Sequence, residues 1–333
     1  MRMKKVLLID YYGICDKDGR AVGHSPKVLE EYSTLLGDCY TVSVAASPCL
    51  IKEAGEQFHD KYTLRYDIYS DREMSVRKRI QDKVRLFFFL CFRGIRQDRK
   101  SAKYMAQIYQ AGFGQSRLAP VLNWFYRRGM RKFDGITYAQ KDMAGLHPNM
   151  MYFPDYYYDP GKYQKYRKAE KQEKAVYLGT MNTYKRLQEL IEAFGSNGYP
   201  LEIKGYFYDK NYYRNLREGL AQNIVLEDRI LSEEEYYRTL AGAKYIVLPY
   251  DMGQYQSRTS GVLIESLFLD TVAIAPKQLL AENQIGGIGY DRIEELKDIT
   301  FLTRIPVSND HDRIKEFDKN EIAGRLTGFM NSL

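Results

Sequence analysis

Apolar positions along the chain follow two rhythms. Short continuous runs bounded by turn-prone residues read as strands, and segments with apolar residues three and four apart read as helices. The run KVLLID at 5–10 predicts a first strand, which the turn-prone YYGICDKDG separates from a helical pattern at 25–36. A second apolar run at 40–46 and the alternating YTLRYDIY at 62–69 predict two more strands. From 72 to 96 the chain is one basic and apolar stretch. Its first part has helical spacing, while its FFFLCF centre fits a helix or a buried strand equally. Helical spacing returns at 102–110 and 119–132, and FDGITYA at 133–139 predicts the last strand of this half.

The prolines, charges and tyrosines of 152–173 predict a linker between two domains. Beyond it the rhythm is regular, with strands at 175–178, 201–205, near 224–226, at 245–249 and at 271–275. Helices alternate with them at 184–194, 211–220, 232–241 and 261–269, the third opening with SEEE, a serine cap followed by an acidic first turn. A last helix is predicted at 310–331. Strand–helix alternation with short connections implies a parallel, doubly wound sheet, whose ligands bind outside the carboxyl ends of its strands.

Composition changes this picture at three points. A chain of 333 residues exceeds what one core usually supports, in agreement with two domains. Thirty tyrosines against one tryptophan supply many flat amphipathic rings, which suit sugar contacts and half-buried packing alike. The charge is uneven: 71–132 holds sixteen Lys and Arg against four Asp and Glu, a net of +12 in a chain of +7, so the rest is net −5. Interleaved with Phe, Leu and Trp, that block suits an anionic membrane surface or a solvated helix face. No nucleic-acid motif accompanies it, and no nucleic-acid partner is expected. Without an apolar run of eighteen residues or a cleavable leader, the protein is expected to be cytoplasmic, peripheral on the inner face of the membrane if the basic block docks there. Cys15, Cys39, Cys49 and Cys91 lack metal-ligand spacing and read as reduced thiols.

Two elements carry candidate chemistry. In AVYLGTMNTYKRLQELIEAF a strand ends at Gly179, a polar loop begins at Thr180, and Lys185 and Arg186 stand at a helix start. Cations there oppose the helix dipole, and a bound diphosphate would compensate them; a solvated lysine at an ordinary helix start is the alternative. In YIVLPYDMGQYQSRTSGVLIESLFLDTVAIAP a strand gives way to a loop with Arg258 and Thr259, and Ser260 and Gly261 open a helix. Gly261 would let a phosphate approach the backbone, and Glu265, one turn in, would accept hydrogen bonds from ligand hydroxyls. A capped surface helix with a solvated Glu is the alternative.

In this order and separation, over about 175–295, the two elements resemble the C-terminal half of GT-B fold glycosyltransferases, particularly the retaining family 4 (glycosyl transferases group 1). The matching residues are Gly179, Lys185, LIEAF at 190–194, Glu265 and TVAIAP at 271–276. The resemblance implies two Rossmann-like α/β domains facing across a cleft: 1–160 on the acceptor side, 161–308 for the donor, and 309–333 returning to the first domain. It implies a metal-independent, hexosyltransferase-like enzyme without a cofactor, moving sugar from a nucleoside-diphosphate sugar to a glycan or lipid-linked acceptor in surface polysaccharide or glycoconjugate synthesis.

Lys185 would bind the donor diphosphate and Glu265 its ribose, with base recognition by backbone near 228–232. The first Glu of the family's pair is Ser257 here, and the Arg that usually follows the strand glycine is Thr180. Arg258 would then supply the missing charge. No catalytic residue is identified. His24, in the loop with Tyr12 and Gly13 on the acceptor side, is the candidate, with loop packing as its alternative reading. The Asp16–Asp18 pair reads as a turn, and no metal site is expected. A non-catalytic GT-B module partnering another transferase is the rival reading, and an epimerase-type sugar-nucleotide enzyme a further one.

Overall fold

The computed structural model describes residues 4–11, 13–15, 19, 21–22, 25–66, 68–69, 75–89, 102–108, 119–139, 143–181, 185–253, 255, 260–308 and 313–333. They form two compact units, one of 1–155 with 319–333 and one of 156–318.

The first unit runs β1 (Lys4–Asp10), β2 (Ile14–Cys15), β3 (Ala21–Val22), α1 (Ser25–Leu36), β4 (Tyr40–Ala46), α2 (Pro48–Glu53), β5 (Lys61–Thr63), β6 (Ile68–Tyr69), α3 (Val76–Phe88), β7 (Ala102–Ile108), α4 (Ala119–Met130), β8 (Gly135–Tyr138) and β9 (Met150–Tyr152). Its main sheet has the order β5-β4-β1-β7-β8-β9 with every pairing parallel, and β3-β2-β6 form a small second sheet. Val6 to Ile9 are all buried, because helices cover both faces of a central parallel strand.

Three sequence expectations are corrected here, and one holds. Residues 102–108 form strand β7 and not a helix, since the buried run AKYMAQI lies between β1 and β8, where ladder pairing overrides local spacing. The alternation at 62–69 splits into β5 and β6, which belong to different sheets. The helical reading of 72–96 holds for α3, and 90–100 lie outside the described residues. Cys15 and Cys49 are joined in a disulfide and are not reduced thiols. The fold sets their Cα atoms 6.2 Å apart across a sequence separation of 34, which spacing alone does not reveal. Cys39 is free and exposed.

The second unit runs α5 (Pro160–Arg167), β10 (Gln172–Met181), α6 (Leu187–Asn197), β11 (Leu201–Phe207), α7 (Lys210–Arg217), β12 (Ile224–Asp228), α8 (Glu233–Gly242), β13 (Ala243–Val247), α9 (Gly261–Phe268), β14 (Val272–Pro276), α10 (Lys277–Asn283) and β15 (Ile288–Tyr290). Its sheet is parallel throughout, in the order β12-β11-β10-β13-β14-β15. Ser232 caps α8 by accepting from the Glu235 amide, as SEEE implied. The stretch expected to be a linker is packed. Asp159 caps α5 with Pro160 in its first turn, and Tyr163 packs edge-on against Tyr237 and Phe268 at 5.2 and 5.1 Å. Its tyrosines reflect burial rather than exposure.

The last helix, α11 (Lys319–Ser332), begins later than the sequence suggests. Phe317 is buried in the second unit's core, and its carbonyl accepts from the Tyr158 amide at 2.6 Å, which ends one unit before the helix begins. From there α11 packs on the first unit: Asn331 accepts from Lys4 and from the Tyr40 hydroxyl, both at 3.1 Å, and Lys103 donates to the Met330 carbonyl.

One lysine ties the start of β10 to the end of α9. Lys171 donates to the Leu269 carbonyl at 3.0 Å and to Thr271 Oγ1 at 2.9 Å, and burial pulls its ammonium pKa down to about 8. Below that pH the fold bears the cost of a partly buried charge, and the cost disappears as pH rises toward the unfolded value. Stability from this group should therefore rise between pH 8 and 9.5, by roughly 1 kcal/mol after discounting for solvent screening. Urea unfolding of Lys171→Met against the parent over that window is the check, and an unchanged slope in the variant would contradict the assignment.

Candidate functional site

The candidate site lies at the carboxyl ends of β10 and β13, where a doubly wound sheet presents helix N-termini. Gly179 sits near the end of β10 at φ +123°, a conformation that side chains with Cβ rarely adopt. Beside it on β11 is Gly205, so close that the Gly179 carbonyl carbon stands 2.8 Å from where a Cβ on Gly205 would be. The two glycines let the strands approach at this level. Thr180 follows, exposed and paired with Tyr206.

Residues 182–184 lie outside the described residues, and the chain re-enters at Lys185. Lys185 is 8% exposed, with its ammonium 3.9 Å from the centre of the Tyr250 ring and 5.3 Å from that of Tyr255. Those rings pack against each other at 4.3 Å. Aromatic faces compensate a desolvated cation in part and leave its N–H donors directional. Arg186, the cap residue of α6, adopts a left-handed conformation at φ 47° and pairs with Glu189 at 3.0 Å and Glu294 at 3.8 Å. Its charge is answered within the protein. The sequence argument that both cations await an external anion therefore does not hold for Arg186.

Tyr250 links that ammonium to the start of α9, its hydroxyl lying 3.5 Å from Ser260 Oγ. Ser260 is buried and caps α9 by accepting from the Leu263 amide at 3.4 Å. A Cβ on Gly261 would overlap the phenol ring of Tyr156. The glycine is thus accounted for by a tyrosine packed on the helix start, not by phosphate approach alone. Glu265, read from sequence as facing a ligand, is 4% exposed and accepts from the Tyr236 hydroxyl at 2.7 Å and the Tyr237 hydroxyl at 2.8 Å. Burial and the adjacent carboxylate push both phenols well above their ordinary range, so they remain donors.

The structure therefore brings Lys185, Ser260, Gly261 and Glu265 together around a box of tyrosines 156, 236, 237, 250 and 255, while Gly179 stands apart near the end of β10 beside Gly205. Sequence reasoning missed the box. The excess of tyrosine and the paired Tyr236–Tyr237 after the SEEE cap were its only trace, since a half-buried phenol has no periodic signature. Arg258, Thr259 and Ser257 lie outside the described residues, as do Tyr12, His24 and 16–18. Gly13 in the first unit is described, and a Cβ there would overlap Leu50 and come within 2.8 Å of Ser47 Oγ, so it serves packing onto α2.

The sequence matches no family model and no curated protein. Its fold has clear counterparts among solved structures. Trehalose-6-phosphate synthase from Burkholderia multivorans superposes with a TM-score of 0.61 at 10% identity, covering 99% of each chain. The Anabaena protein HepE, solved in complex with UDP and glucose, gives 0.58 at 13% identity over 99% of this chain and 100% of that one. AviGT4, a glycosyltransferase involved in avilamycin A biosynthesis, gives 0.56 at 12% identity over 97% and 96%. At these identities the likeness is one of fold: two parallel six-stranded sheets with surrounding helices, the α/β architecture of GT-B glycosyltransferases.

Proposed function

We propose that the protein transfers a sugar from a nucleoside-diphosphate donor, bound at the carboxyl ends of β10 and β13, to a glycan or lipid-linked acceptor. The observation that carries this reading is the placement of Lys185. A buried ammonium and the N-terminus of α9 converge through Tyr250, and both favour an anion between them. Full-length structural counterparts that include a UDP complex support the reading. Hexosyl transfer with retention of configuration, independence from metal, and a place in surface-glycan synthesis belong to the same proposal. Arg258 and Thr259 would complete the phosphate contacts. The base would be held by backbone near 228–232, since the Asp228 carboxylate is occupied by Lys210 at 2.7 Å and by the Phe207 amide at 3.1 Å.

One observation favours a second reading, a non-catalytic GT-B module. Glu265 is engaged by tyrosines and Arg186 by glutamates, so part of the family pattern is explained by internal structure. Thermal denaturation in the presence of UDP, GDP, ADP, CMP and their sugars separates the two, because a ligand of the native state alone raises the transition by mass action. One nucleotide diphosphate should raise it, and Lys185→Ala should weaken that response about tenfold, the loss expected for one charge-assisted hydrogen bond. If no nucleotide raises the transition, the donor assignment fails and the module reading stands.

A further inference from the structure

The first unit carries a face whose polarity is inverted. Helix α3 buries Asp82 and Leu86, while Ile80, Val84 and Phe88 are 58%, 47% and 51% exposed. Spacing by four places the last three on one stripe, roughly opposite the buried pair. Helix α4 repeats the arrangement: Tyr126 and Met130 are buried, and Val121 and Trp124 are exposed at 56% and 58%. The helices meet through the rings of Phe87 and Phe125, 6.2 Å apart. Exposed cations flank both stripes, among them Arg77, Lys83 and Arg85 on α3 and Arg127 and Arg128 on α4, with Arg128 lying over the Trp124 ring at 5.9 Å. Asp82 is the only acid in either helix, and it is buried.

We infer that this face docks on an anionic lipid bilayer, the aliphatic and aromatic side chains entering the acyl boundary while the cations engage lipid phosphates. A large apolar stripe in water is costly unless something covers it. A second copy of the chain is a poor cover, because apposing two such faces would bring their cations together without exposed acids to offset them. Nucleic acid would answer the charge but would leave Ile80, Val84 and Val121 against a polar backbone. An anionic membrane answers both, with tryptophan and arginine at the depth where each is favoured. No helix among the described residues is long and apolar enough to cross a bilayer, so the contact is one of docking. This inference stands apart from the donor site and survives if that site is refuted.

Trp124 is the only tryptophan in the chain, which makes it a reporter placed in the face itself. Full-length protein is titrated with phosphatidylcholine vesicles with and without phosphatidylglycerol, and its tryptophan emission is followed. Anionic vesicles should move the emission to shorter wavelength and lipids brominated on the acyl chain should quench it, with affinity falling as salt rises. Ile80→Glu with Val84→Glu, both at exposed positions, should weaken vesicle affinity by about tenfold or more while leaving the circular dichroism unchanged. No spectral shift with anionic vesicles would overturn the inference, as would equal binding to neutral vesicles. A shift with an oligonucleotide and none of the acyl-chain quenching would assign the face to nucleic acid instead.

Discussion

Glu265→Ala should destabilise the protein by about 3–5 kcal/mol, the range for removing one member of a buried charged hydrogen-bond group. The carboxylate lies in α9, buried on all sides, with the Tyr236 and Tyr237 phenols as its donors. Deleting it strands the buried Tyr237 hydroxyl and takes the acceptor from the half-buried Tyr236. Tyr237 retains the Tyr163 hydroxyl at 3.4 Å, while Tyr236 rests on the glutamate through a bond of 2.7 Å. Glu265→Gln keeps one acceptor oxygen and should cost about 1–2 kcal/mol. Urea unfolding followed by circular dichroism reads both, and a cost below about 1 kcal/mol for Glu265→Ala would show that the phenols find other acceptors. The glutamine variant also separates structure from ligand binding. If it folds yet loses the nucleotide response, the Glu265 carboxylate contributes to holding the donor; if it keeps the full response, the residue's contribution is architectural.

That ambiguity explains why the fold was more legible in the sequence than the site. KVLLID, YTVSVAA and the regular alternation after 175 are continuous apolar runs flanked by helical spacing, and burial on both sheet faces requires that pattern whatever the partner strands are. The reading failed where a segment's environment is set by distant residues. AKYMAQI is a central strand because β1 and β8 flank it. Tyr156, Tyr163 and Tyr166 are core because they pack with residues of α8 and α9. Cys15 finds Cys49 only once β2 lies beside α2. At the site, the residue types at 179, 185, 260, 261 and 265 could be picked out by order and spacing. Which of them answer one another, Arg186 with Glu189 and Glu265 with two phenols, is a property of three-dimensional neighbours that spacing does not encode.

Gly205→Ala should be the most disruptive single-methyl change in the second unit, costing about 3 kcal/mol or more, the upper end for overpacking because backbone must yield. The new Cβ would overlap the Gly179 carbonyl oxygen and stand 2.8 Å from the carbonyl carbon and from Met181 Cε. A methionine methyl can rotate away, but a carbonyl fixed in the β10–β11 ladder moves only if the strands part. Gly179 is itself held in that ladder, paired with Gly205. Gly328→Ala provides the comparison: it lies in α11 with open space around a Cβ, and should be neutral or stabilise by up to about 1 kcal/mol. Equal stability of the two variants would refute the close approach of the strands. If Gly205→Ala is destabilised as expected, its nucleotide response should fall as well, because β10 leads through 182–184 into Lys185, and a displaced strand end carries the ammonium away from Tyr250. A variant that loses stability but binds nucleotide as the parent does would instead place the diphosphate contact on the α9 side of the site, at Ser260 and Gly261.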